Sequence, residues 1–277
     1  MLDHQAAAAR TDLDPKPSSL RPIDPTCLLK DEALQGIPTQ FVKDVLRDLA
    51  PRILAGINCT SLDPSSTPDP AEQLPSHARC TFDPSLAPGA SPLPPNFLLA
   101  LTFPPRDTNL LSPPTRILVP CHSLVYTLSS PIFPIIPSAP THDSDISTTN
   151  SSSNPPLPLS SFVLPVMGPV ALPSLTAFSI LHTFIHTRSV SALHHSLTTK
   201  LPSASRLPSP PPSPRPEGSS RPVSPVTTPT SLSREDAQEL FDKILDLRRT
   251  AIRLEISEPD LWQCMSNSWN QVVRRCS

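Results

Sequence analysis

The chain is poor in glycine and in aromatic residues: 5 glycines, two tryptophans and one tyrosine in 277 residues, with aromatics at 4%. Neither a glycine-rich phosphate cradle nor a Gly-x-Ser-x-Gly nucleophile elbow can be assembled from these glycines, which removes P-loop and α/β-hydrolase chemistry. Paired Cys-x-x-Cys spacing is missing as well. Cys27, Cys59, Cys80, Cys121, Cys264 and Cys276 are scattered, the pattern of reduced thiols rather than of a disulfide framework. A membrane-length apolar run is lacking too. The longest apolar stretch, Phe162 to Phe178, is broken by Pro165, Pro169 and Pro173 and is too short to span a bilayer. Charge imbalance is absent, with a formal net charge of -2, so nothing draws the whole chain to nucleic acid or an acidic membrane. Met1 to Arg10 holds an alanine run but neither the basic region nor the apolar stretch of a secretory signal. The expectation is an intracellular protein, nuclear or cytoplasmic, in which Asn58-Cys59-Thr60 and Asn150-Ser151-Ser152 go unglycosylated.

Proline is what the chain has in excess. There are 41, about one residue in seven where roughly one in twenty is usual. Stretches dominated by Pro, Ser and Thr bury too little apolar surface to offset chain entropy, so they read as disordered. The organisation that follows is one modest core with long tails. Residues 1–36 are expected to be a disordered N-terminus, 37–58 an amphipathic helix and 59–95 a linker. Residues 96–200 form the central domain with a polar insert at 134–160. A second disordered linker covers 201–231, and 232–276 make a helical pair packed on the core.

Within 37–58, Thr39 is the expected N-cap, Phe41, Val42, Val45, Leu46 and Leu49 share a face, and Pro51 is expected to interrupt the helix. Phe97 to Phe103 reads as a buried strand, paired through a turn with a second strand at Ile117–Val119 that Pro120 ends. Leu124, Val125 and Leu128 then fall at helical spacing before Ser129-Ser130-Pro131. After the insert, Phe162–Leu164 forms a short strand. Ser174 caps a helix carrying Leu175, Phe178, Leu181, Phe184 and Ile185 on one side, with Leu193 and Leu197 continuing the spacing. Ser233 with Asp236 starts a C-terminal helix bearing Leu240, Phe241, Ile244, Leu247, Ala251 and Leu254. Ser257 and Pro259 start a last helix carrying Leu261, Trp262, Met265, Trp269, Val272 and Val273.

The order of these residues in the middle of the chain resembles the BTB/POZ fold. There a strand leads to a His at a helix start, a Ser-Pro-x-Phe follows, and a Leu-Pro … Phe … Leu … Phe-Ile-x-Thr helix closes the core. The matching positions are His122, Ser130, Pro131, Phe133, Leu164, Pro165, Phe178, Leu181, Phe184, Ile185 and Thr187. The fold class this implies is α+β: a BTB/POZ-like mixed core with flanking amphipathic helices and disordered Pro/Ser-rich linkers. His122, Phe133, Phe178, Leu181, Phe184 and Ile185 would hold that core. The insert departs from the usual spacing, which leaves homodimerisation open.

A second resemblance spans more of the chain. Leu49-Ala50-Pro51-Arg52-Ile53-Leu54-Ala55, Leu164-Pro165-Val166, Leu172-Pro173, Leu181-His182-Thr183-Phe184-Ile185-His186-Thr187 and Leu261-Trp262 with Trp269 together resemble the clampless family of basidiomycete fungi. That resemblance implies a nuclear regulator of sexual development, needed for clamp-cell formation downstream of mating type.

The chemical readings are few. His182 and His186 stand four apart, a spacing that can chelate zinc, but no Glu lies between them as a metalloprotease base and no further ligand completes a site. They read as solvent-facing residues opposite the apolar stripe, with His194 and His195 beyond. Arg248-Arg249 and Arg274-Arg275 lack interleaved aromatics, so direct DNA reading is not expected. Ser209, Ser213, Ser224 and Thr228 each precede a proline and are candidate phosphorylation sites, while Arg206 to Pro211 also fits a polyproline II ligand. Trp262, Met265 and Trp269 are candidate partner-binding anchors, since Trp is enriched at binding hot spots, with core packing as the other reading. The function that emerges is non-enzymatic. The protein would bind regulatory proteins such as transcription factors, without cofactor, metal, nucleic acid or membrane. A ubiquitin-ligase adaptor of the BTB type and, more remotely, a metal-dependent enzyme are the rival readings.

Overall fold

The computed structural model describes residues 34–64, 73–105, 114–136, 160–199 and 233–276. The candidate phosphorylation sites, Arg206 to Pro211, Cys27 and most of the insert lie outside these residues.

Helix α1 spans Thr39–Asn58 and buries Val42, Ala50, Ile53 and Gly56. Pro51 does not interrupt it. The ring is on the exposed side, and buried Ala50 and Ile53 on either side hold the helix to the core, so the lost backbone donor is tolerated. A neighbouring chain segment fixes the same turn, with Leu93 N–H donating to Arg52 O at 3.0 Å. Pro38, not Thr39, occupies the N-cap position, and no side chain caps the helix there.

Five strands form one sheet: β1 (Thr60–Leu62), β2 (His77–Phe82), β3 (Phe97–Phe103), β4 (Thr115–Cys121) and β5 (Ser160–Ala171), in the order β1-β2-β5-β3-β4. The expected linker at 59–95 therefore contributes two strands. Within β2 the alternation of Ala78 and Cys80 inward with His77 and Arg79 outward supplies the strand pattern that the surrounding prolines obscure. The second strand of the expected pair is also longer than Ile117–Val119 and runs through Pro120. Because β4 is an edge strand, paired only with β3 in this sheet, a residue without an N–H costs it little.

Strand β5 is the spine of the sheet and far exceeds Phe162–Leu164. Its first half pairs antiparallel with β2, from Phe82↔Ser160 to His77↔Pro165. Its second half pairs parallel with β3, from Leu98↔Val166 to Thr102↔Ala171. The prolines sit where pairing permits them. Pro165 lies at the change of partner, and Pro169 lies in the register shift opposite Ala100. Gly168 occupies that shift with φ +115°, and a Cβ there would come within 2.7 Å of Ala100 O.

The helices α2 (Ser123–Thr127), α3 (Leu175–Thr187), α4 (Val190–Thr198), α5 (Arg234–Arg253) and α6 (Pro259–Cys276) complete the fold. Ser174 Oγ accepts from Ala177 N–H at the start of α3, and Ser233 Oγ accepts from Asp236 N–H at the start of α5. The helical spacing expected to run from Ser174 through Leu197 is broken at Arg188, which takes a left-handed conformation (φ 54°), after which Ser189 caps α4. Phe97, Leu99, Leu101 and Phe103 on one face of β3 join Phe133 and the apolar stripes of α3, α4, α5 and α6 in the main core. Leu98 and Ala100 on the other face join Ala78, Cys80, Phe162 and Leu164 in a smaller one. The described residues thus form an α+β structure, and none of their helices is long and apolar enough to cross a membrane.

Candidate functional site

A cleft of about 370 Å³ opens between α1 and the sheet. One wall is Leu46, Leu49 and Ile53 of α1; the other is Leu124 and Val125 of α2 with Val163, Leu164 and Pro165 of β5. Its floor is the approach to β3, Leu93 to Asn96. Asn96 fixes that floor through its whole amide: Oδ1 accepts from Ser123 N–H at 2.8 Å, and Nδ2 donates to Ser123 Oγ at 2.8 Å and to Ile136 O at 2.9 Å. Four- and eight-residue steps along α1 from Leu49 lead outward to Val45 and Phe41, which are 39% and 59% exposed. Neither lines the cleft, whose facing wall carries Val163 at 38% exposure.

Beneath the cleft lies a seam of buried imidazoles. His122 lines the cleft at the N-cap of α2, and its Nε2 is buried with no hydrogen-bond partner among the described residues. Burial, and then the neighbouring His186, push its pKa down to about 4. The expectation of solvent-facing histidines on α3 is overturned. His186 is 2% exposed, and its Nδ1–H donates to His182 O at 2.7 Å. His182 Nδ1 lies 2.7 Å from Tyr126 Oη, and the His182 and His186 rings stand 4.3 Å apart. The reason is tertiary: both rings pack against Tyr126 of α2, and His182 also against Phe178, so the side of α3 that carries them is covered. Burial lowers His186 to about 4 and lowers His182 well below its ordinary value, so all three rings are neutral near pH 7.

This seam carries no ionised nucleophile. Burial pushes the Cys121 thiol up to about 12 and holds Tyr126 well above its ordinary range. Among the described residues no group of three or more His, Cys, Asp and Glu is arranged to hold a metal ion. Cys59, Cys80, Cys121, Cys264 and Cys276 are all free.

The other sequence-derived residues fall as follows. Phe133, Phe178, Leu181, Phe184 and Ile185 are buried in the main core together. Met265 and Trp269, read as candidate anchors, face inward: they are 2% and 4% exposed, and Trp269 packs on Phe241 with ring centroids 4.5 Å apart. Trp262 is half-buried, its Nε1–H donating to Ile256 O at 3.0 Å. The three do not form an open surface because the face they share is the one α6 turns to the core. The exposed pair Phe41 and Val45 was visible in the sequence as helix face, but its exposure depends on which side of α1 meets the sheet.

The described residues thus place a largely apolar cleft between α1 and the mixed sheet. The chain belongs to the clampless family: the model described as the Clampless protein 1 N-terminal domain matches residues 17–229. Comparisons with curated proteins and with solved structures find no match.

Proposed function

We propose that this protein is a non-enzymatic interaction protein of fungal sexual development, acting in clamp-cell formation by binding transcriptional regulators. Membership of the clampless family is the observation that carries this reading. The surface it assigns to the partner is the cleft beside α1 together with Phe41 and Val45 of the same helix, exposed apolar side chains of the kind found at protein interaction sites. A BTB/POZ-like core is part of the proposal. It is supported by the β3–β4 hairpin leading into His122 and α2, and by the return of β5 parallel to β3 ahead of α3.

The experiment is a cross between gene-deletion strains of the source organism, scored for clamp cells and hyphal growth. Loss of clamps with normal vegetative growth is the expected result, and normal clamps would overturn the developmental role. Purification of the tagged protein from mating hyphae then separates the partner classes. A transcriptional regulator is expected, whereas recovery of a cullin would favour a ubiquitin-ligase adaptor.

A further inference from the structure

The family match stops at residue 229, but the core does not. Leu240, Ile244 and Leu247 of α5 and Leu261, Met265 and Trp269 of α6 are all under 5% exposed, α5 packing on α3 and α6 on α4. We propose that the α3–α4 face is a docking surface for an amphipathic helical pair, and that residues 233–276 fill it as a separable, noncovalent ligand carried on the same chain.

The polar contacts at this interface have the character of recognition. Lys243, 8% exposed, donates from Nζ to Ser196 O at 3.3 Å and Thr199 O at 3.1 Å, so a cation from α5 closes the carbonyl end of α4. Glu258, at the start of α6, lies 2.9 Å from Lys43 Nζ of α1 and 2.6 Å from Arg188 Nη1 at the end of α3. Arg188 Nη2 also donates to Ser129 Oγ at 2.7 Å, and Ser257 N–H donates to Ser129 O at 2.9 Å. An apolar stripe sets the affinity of such an interface, and buried charged keys at its two ends set register and orientation. The pair therefore has what an independent ligand needs: a side-chain cap at the start of α5, an apolar face and specific polar anchors. Residues 200–232 are the covalent connection between the two parts, and none of the contacts just named uses them. With the α3–α4 face filled by this pair, the cleft beside α1 stays open to other proteins.

The test uses the full chain with a specific protease sequence placed between residues 205 and 228. After cleavage, both pieces are expected to elute together in native buffer at the uncut position, with unchanged near-ultraviolet circular dichroism, and to part only in denaturant. In the cut protein, Lys243→Met is expected to weaken reassociation at least tenfold while the uncut variant stays folded. Separation of the pieces in native buffer, with the larger one folded and monomeric, would overturn the proposal. So would aggregation on cutting, because the pair would then be an inseparable part of the folding core, and so would an unchanged reassociation of the Lys243→Met protein.

Discussion

Gly56 of α1 lies directly against the Leu93 carbonyl: a Cβ at residue 56 would overlap Leu93 O and crowd the Leu93 backbone. That contact brings the segment before β3 onto the helix, and Arg52 secures it by donating from Nε to Ser91 O at 2.9 Å. The cleft floor is set by it. Gly56→Ala should push the segment away, destabilise the protein by about 3 kcal/mol and open the cleft. The urea midpoint checks this, with Gly89→Ala as the comparison: Gly89 has a positive φ but open space around it, so only its backbone strain is expected to register, about 1 kcal/mol.

Glu258 is shared between Lys43 and Arg188, with side-chain exposures low enough for desolvation to matter. Glu258→Gln leaves two cations facing a neutral group and should cost about 3 kcal/mol. The Lys43→Met, Glu258→Gln double variant should recover part of that loss in a double-mutant cycle, because one stranded charge is removed.

The imidazole seam makes stability depend on pH. His122, His182 and His186 all have folded-state pKa values below the ordinary 6.5, so the unfolded chain binds more protons between about pH 4 and 6.5. Stability from this source is complete above pH 6.5 and falls as the pH drops through that window. Urea midpoints between pH 7 and 4.5 should show the decline, and His186→Phe should flatten it. An unchanged slope in that variant would contradict the assignment.

Core and surface aromatics should part company. Trp269→Ala, in the core against Phe241, should cost about 3–5 kcal/mol. Phe41→Asp is expected to change stability by less than about 0.5 kcal/mol, because Phe41 is exposed.

Local signals in the sequence read well where side chain and backbone interact within a few residues. The Ser174 and Ser233 caps, the Leu181–Ile185 stripe and the start of α6 at Pro259 are of this kind. Proline misled wherever tertiary pairing decides its cost. Pro51 rides the outer side of α1, Pro120 lies in an edge strand, and Pro165 and Pro169 occupy a partner change and a register shift. β2, and β1 which pairs with it, were hidden in a Pro- and Ser-rich stretch because the other partner of β2, β5, comes some eighty residues later in the chain, on the order of a loop-closure distance that no local window spans. The cleft was legible only as helix faces. His186 is buried against Tyr126 of α2, an element far earlier in the sequence, and the side of α1 that stays open is fixed by how Gly56 meets Leu93.

This clampless-family protein is proposed to act through Phe41, Val45 and the cleft beside α1. The most direct measurement is clamp-cell formation in mating strains whose gene carries Phe41→Asp with Val45→Asp at its own locus, with protein level followed by blotting. Loss of clamp cells at an undiminished protein level is the result this account expects. Normal clamps at that same level would contradict it.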